Sequence, residues 1–186
     1  TVVPLVGTEE FGIGSEVVVF SFIIAFGLIK ALLNLASGLL ADRFTRKMVL
    51  VAGWVVGLPV TFMLAWGPSW TWIIAANVLL GISQGLAWSM TVNMKIDLVG
   101  PAQRGLAMGL NEAAGYGTLG ATALLTGYLA ASYGLRPEPF YIGIVYSVLG
   151  LALSVFLVHD TLGHARLEAA KHGPSSQHPI PSTAHV

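Results

Sequence analysis

Long apolar runs, broken by short polar and charged clusters, set the pattern of this chain. Residues 48–94 contain no Asp, Glu, Lys or Arg. A bilayer core about 30 Å thick takes about 20 apolar residues in helix, so this run has room for two such helices. Trp66-Gly67-Pro68-Ser69-Trp70 divides it. Gly-Pro stops a helix, and the flanking indoles suit a membrane–water interface. The same pattern predicts spans at about 17–40, 48–66, 70–94, 105–131 and 139–158. Residues 1–16 then form an external loop. Residues 159–186 form a tail, with disorder expected where Pro, Ser and His accumulate, in 173–186.

Composition agrees with the pattern. Of 186 residues, 55% are hydrophobic and only 10% charged, against roughly 25% charged in an ordinary soluble domain. So few charges cannot cover the surface of a water-soluble globule. Nine Lys and Arg balance nine Asp and Glu, so no basic excess exists to meet nucleic-acid phosphates. With no cysteine, disulfides, thiolate metal sites and redox motifs are ruled out. The expected fold class is an all-α integral membrane protein whose first partner is the lipid bilayer.

Charge also orients the spans. Arg43, Arg46, Lys47, Lys95, Arg104, Arg166 and Lys171 fall on one side, Arg136 on the other, and Lys30 within a span. By the positive-inside rule the seven face the cytoplasm of a cell (inner) membrane. The amino end then lies outside and the tail inside. An external start with no secretory signal before it is expected to be the edge of a longer chain.

Gly38-Leu39-Leu40-Ala41-Asp42-Arg43-Phe44-Thr45-Arg46-Lys47 joins the first two spans. It resembles the signature loop between the second and third helices of major facilitator superfamily transporters. Gly38, Leu40, Asp42, Arg43, Arg46 and Lys47 fall in place, and Thr45 stands where the family has its second Gly. The resemblance implies helices two to six of a twelve-helix protein. The first helix and the carboxy-terminal half would then lie outside this chain, and the tail would open the central loop. It implies three-helix inverted repeats within six-helix halves, and a charged latch made by Gly38, Asp42, Arg43, Arg46 and Lys47. It further implies that the third span lines a central cavity, with Asn77, Gln84 and Trp88 as substrate contacts. Two departures stand out. Gly81 occupies the place of the family's Arg before Gln84-Gly85, and Thr122–Gly127 lacks the Pro of the antiporter pattern.

Two charges lie inside the spans, and both invite chemistry. Lys30 sits near mid-membrane, where a charge costs about 2.5–3.5 kcal/mol on insertion scales. Gly27, Lys30, Asn34, Ser37 and Ala41 share one small, polar helix face. Lys30 and Asn34 read as a substrate or coupling site, or Lys30 as a structural residue paired with an acid or carbonyl from a helix outside this chain. Glu112 shares a face with Asn111, Gly115, Thr118 and Thr122. A carboxylate there can carry a proton for coupled transport, or anchor a helix by hydrogen bonding. Gly53-x-x-x-Gly57, Gly81-x-x-x-Gly85 and Gly105-x-x-x-Gly109 read as close helix contacts.

Two enzyme-like patterns fail on context. Gly81-Ile82-Ser83-Gln84-Gly85 matches a hydrolase elbow, which needs a strand, a sharp turn and nearby His. All five His lie at or beyond residue 159. Gly115-Tyr116-Gly117-Thr118-Leu119-Gly120 matches a dinucleotide loop but follows no strand. The His spacings place no two ligands on one helical face, so no metal is expected. A short amphipathic helix is expected within His164–Lys171. The resulting expectation is a non-enzymatic secondary transporter of a small-molecule solute, without cofactor, working by alternating access. The competing reading is a multi-pass scaffold or assembly subunit.

Overall fold

A computed structural model of the protein describes residues 2–99 and 101–171. The described residues form helices joined by short turns, with no strand among them. A short helix α1 (Val2–Leu5) runs into a π-helical segment, Val6–Glu10, and a one-turn helix α2 (Glu16–Val19) follows. Five long helices come next: α3 (Ser21–Arg43), α4 (Arg46–Trp66), α5 (Trp70–Leu98), α6 (Arg104–Tyr133) and α7 (Tyr141–Phe156). Helix α8 (Leu162–Lys171) closes the described chain.

Four segments are long and apolar enough to cross a membrane: Glu16–Arg43, Arg46–Trp66, Trp70–Leu98 and Glu138–Phe156. Helix α6 has 30 residues, roughly 45 Å at about 1.5 Å per residue. Its length exceeds a bilayer core, while its Gly, Thr, Asn and Glu residues dilute its apolar character. The breaks follow the sequence. Helix α4 ends at Trp66 and α5 begins at Trp70, around Gly67-Pro68. The Thr45 hydroxyl accepts the Met48 backbone N–H at 3.2 Å and caps α4. A Gly at that position has no side chain to do this. Gly134, at φ +114°, ends α6 in a conformation that L side chains rarely adopt.

Helix α5 is the centre of the bundle. It packs on α4 along one face and α3 along another, and α7 lies on α4. Glycines let the backbones meet. A Cβ on Gly53 would lie 2.9 Å from the Ala87 nitrogen, and one on Gly57 would lie 2.6 Å from the Ser83 hydroxyl. On the opposite face, a Cβ on Gly81 would lie 2.8 Å from the Phe26 carbonyl, and one on Gly85 would lie 2.5 Å from the Leu33 Cβ. Gly105 and Gly109 would meet nothing within 4 Å. The third glycine pair therefore does not serve as the helix contact its spacing predicts, because α6 presents that turn to open space.

Two apolar clusters hold the bundle. Ala41, Val49, Leu50, Leu86, Ala87, Met90 and Met94 pack at the end that carries Arg46. Val60, Leu64, Ile73 and Ala76 pack at the Trp70 end. Residues 2–10, expected as loop, are helical instead. Val3 and Phe11 pack on the second cluster, and Val2 and Val6 are buried. Arg136 ties this segment down. Its Nε donates to Glu10 Oε2 at 2.6 Å, its Nη1 donates to the Gly67 carbonyl at 2.7 Å, and its guanidinium lies 5.0 Å from the Phe11 ring centre. The Trp70 Nε1–H donates to the Val18 carbonyl and the Ser21 hydroxyl, both at 3.2 Å, which seats α2 against α5. A helix does occupy the stretch near His164, as α8, and starts two residues earlier than expected. The disorder expected in 173–186 lies outside the described residues.

Candidate functional site

Helices α3, α5 and α6 line a partly open cavity of about 550 Å³, with Tyr146 of α7 at its margin. Its walls carry Lys30 from α3, Gln84 and Trp88 from α5, and Glu112, Thr118 and Thr122 from α6. The two charges interior to the apolar helices therefore face one space. The helical spacing explains this. Gln84 and Trp88 are one turn apart on α5, and Glu112 shares a face with Thr118 and Thr122 on α6.

Lys30 reaches between two rings. Its ammonium lies 5.5 Å from the Phe26 centre and 5.6 Å from the Trp88 centre. A cation over a ring face gains about 0.5–1 kcal/mol when exposed and about 2 or more when desolvated. No ion pair joins Lys30 and Glu112 among the described residues. Glu112 instead accepts from the Asn111 amide at 3.1 Å, and Asn111 Oδ1 accepts from the Lys95 ammonium. Lys95 thus serves the carboxylate through one intervening side chain. Asn111 is the single buried residue of α6 among those described. Trp88 also meets α6: a Cβ on Gly115 would lie 2.4 Å from its indole.

A second pocket, of about 520 Å³, lies toward the Arg46 end. It shares Trp88 and Glu112 with the first and adds Asn34, Gly38, Ser89 and Asn93. The Asn34 Oδ1 accepts from the Ser89 hydroxyl at 3.1 Å, which links α3 to α5. Asn77 does not join either wall. It is buried, and its amide donates to the Ile73 carbonyl of its own helix at 2.8 Å. Its neighbours Ile73 and Ala76 belong to the apolar cluster at the Trp70 end, where the helices leave no space.

The basic loop makes ordered contacts within this bundle. Arg46 pairs with Asp97 at the end of α5, with a second bond from Nη2 to Oδ1 at 3.2 Å. The Thr161 hydroxyl donates to the same carboxylate at 2.6 Å. The Lys47 ammonium donates to the Val155 carbonyl at 2.8 Å. Gly38, Asp42 and Arg43 are exposed at the same end. Sequence patterning does not bring Asp97 and Thr161 together with Arg46, because they lie 51 and 115 residues from it. The aromatic wall residues Phe26, Tyr116 and Tyr146 are also unmarked in the sequence, although Phe26 stands one turn before Lys30.

Asp160 receives two helix starts. Its carboxylate accepts the backbone N–H of Lys47, on α4, and of Leu162, on α8, each at 2.9 Å. Burial raises its pKa, but the Lys47 and Leu162 amides, the Thr45 hydroxyl and the charge of Arg46 together hold it below its ordinary 3.8. The folded pKa is depressed, so this carboxylate contributes stability above pH 3.8 that is lost as pH falls through the lower folded value. Asp160→Asn is expected to lower the melting temperature at neutral pH. The difference from the unsubstituted protein should close as pH falls below 3.8. A difference that holds steady to pH 3, about one unit lower, would refute the assignment.

Neither enzyme-like pattern has its required context. Ser83 is buried within α5 against Gly57, and Gly115–Gly120 lies inside the uninterrupted helix α6.

Comparison with known proteins adds to this geometry. The family model described as Major Facilitator Superfamily matches residues 1–182. An uncharacterised MFS-type transporter of Schizosaccharomyces pombe (strain 972) is 32% identical over 127 residues, covering 66% of this chain and 25% of the relative. The chain spans about a quarter of the length of that relative.

Proposed function

The chain belongs to the major facilitator superfamily, and we propose from that premise that it forms part of a secondary transporter that moves a small solute by alternating access. It is a multi-pass membrane protein, all-helical in its described residues. In our reading, α3 to α7 are helices two to six of a longer protein. The basic end faces the cytoplasm, and the exposed faces of α3 and α6 meet the other half.

One observation carries the proposal. The cavity between α3, α5 and α6 gathers Lys30, Gln84, Trp88 and Glu112, and with them both charges interior to the apolar helices. Charges inside a membrane mark substrate or ion pathways, because elsewhere their insertion cost has no return. Transporter sites lie near the midplane, where helix bundles rock about them. Asn34 extends the polar path toward the basic end through the second pocket. In this reading Glu112 is the proton-carrying group, and Gly38, Asp42 and Arg43, exposed at that end, supply the latch toward the other half. Arg46 and Lys47 brace the latch from within.

The absence of cysteine from these residues makes the test direct. The full-length protein, freed of cysteine elsewhere, receives Thr118→Cys or Asn93→Cys in sealed vesicles. Membrane-impermeant thiol reagents are expected to reach position 118 from both sides, at different times, and position 93 from the basic side alone. Labelling of position 118 from one side only would defeat alternating access. Proton coupling makes the two-sided ratio depend on pH, and Glu112→Gln should remove that dependence. A ratio that Glu112→Gln leaves unchanged would remove the carboxylate from coupling and keep the transport cycle.

A further inference from the structure

The chemistry of the cavity wall also bears on what it takes. We infer that its solute is an amphipathic monoanion: one carboxylate-like group on an apolar, ring-sized body, with the anion received by Lys30. The inference rests on the transport reading for the cavity's role, and on the following geometry for the ligand's class.

Lys30 carries three N–H donors. The structure gives its ammonium two aromatic faces, Phe26 and Trp88, and no carboxylate or carbonyl acceptor among the described residues. Ring faces attract a cation by their quadrupole but leave its hydrogen bonds unmade. Gln84, on the same wall, makes no hydrogen bond among the described residues, so its amide N–H groups are also open. Lys30 and Gln84 together offer donors to one anionic group. The opposite charge on the wall has a polar partner. Glu112 has the Asn111 amide, and Lys95 stands behind that amide. Lys30 is therefore the charge on this wall with no polar partner among the described residues.

The rest of the wall describes the rest of the ligand. Phe26, Leu80, Trp88, Tyr116, Leu119 and Tyr146 give apolar and aromatic surface around the charge. A space of about 550 Å³ lies within the usual range for an organic ligand, roughly 300–1,000 Å³. An inorganic anion would leave most of that surface against water. A neutral or cationic solute of the same size would leave the Lys30 donors unanswered.

Three probes of one shape separate these cases: 3-phenylpropionate, its neutral amide and 3-phenylpropylamine. The full-length protein with Thr118→Cys as its one cysteine is treated with a neutral maleimide in the presence of each. The carboxylate is expected to slow labelling about tenfold, the size of a charge-assisted hydrogen bond. The amide and amine should change the rate less than twofold. Lys30→Met should abolish the protection and Lys30→Arg should retain it, with melting temperatures showing that both variants are folded. Stronger protection by the amine, equal protection by all three, or none by any would overturn the inference. Protection that survives Lys30→Met in a folded protein would do the same. The sidedness assay reports independently on transport. Two-sided labelling without carboxylate protection would defeat the ligand class alone. Protection that depends on Lys30, with labelling from one side only, would defeat alternating access and leave the binding site.

Discussion

Arg46→Met is expected to destabilise the bundle by about 3–5 kcal/mol, the cost of leaving a buried charge without its partner. The Arg46 and Asp97 side chains are 13% and 8% exposed. Without the guanidinium, Asp97 keeps one donor, the Thr161 hydroxyl. The effect should appear as a lower melting temperature of the full-length protein in detergent. Asp97→Asn in the Arg46→Met background should recover most of the loss, because an amide costs far less to bury than a carboxylate. If the double variant melts no higher than Arg46→Met, the charge pair is not what holds the loop to α5.

The second large effect belongs to Gly85. Its missing side chain is what lets α3 lie on α5, since a Cβ there would stand 2.5 Å from the Leu33 Cβ and 3.2 Å from the Lys30 carbonyl. Gly85→Leu forces the two helices apart, and overpacking of this kind costs about 1–3 kcal/mol or more. The displaced element also carries Lys30, so transport should fall with stability. Gly105→Ala is the matched contrast. Its Cβ would meet nothing within 4 Å, and Gly to Ala within a helix gains roughly 0.5–1 kcal/mol. Comparable destabilisation by both changes would mean that glycine acts here through helix propensity and not through contact.

Much of the fold is written locally. The absence of charge across residues 48–94 and the Gly67-Pro68 break give α4 and α5 their bounds within a few residues. Lys30 and Glu112 stand out because a charge inside an apolar run carries an insertion cost. Their helical spacing assigns each a face but does not say that the two faces meet, since that depends on how α3 and α6 dock on α5. The same limit applies to Asn77. On spacing alone it is equivalent to Gln84, and packing at the Trp70 end decides that its amide turns back onto Ile73. The helical start at Val2–Glu10 was hidden for a related reason. Pro4 and Gly7 interrupt its apolar residues, and what orders them is remote in sequence: the cluster of Val60, Leu64, Ile73 and Ala76, and Arg136, 126 residues from Glu10. Thr45 is the reverse case: a departure from a familiar pattern whose local role, capping α4, follows from residue type and position.

Helices α3, α6 and α7 are held differently from α4 and α5. Among the described residues, α5 buries ten and α4 seven, whereas α3 buries two and α6 and α7 one each, Asn111 in the case of α6. The links of α6 to the other long helices run through Lys95 and Asn111, Trp88 and Gly115, and Thr122 and Tyr146, the last at 3.3 Å. In our reading α6 is a shared wall: these contacts fix its inner face to the cavity, and its bare outer face is left for the other half to grip.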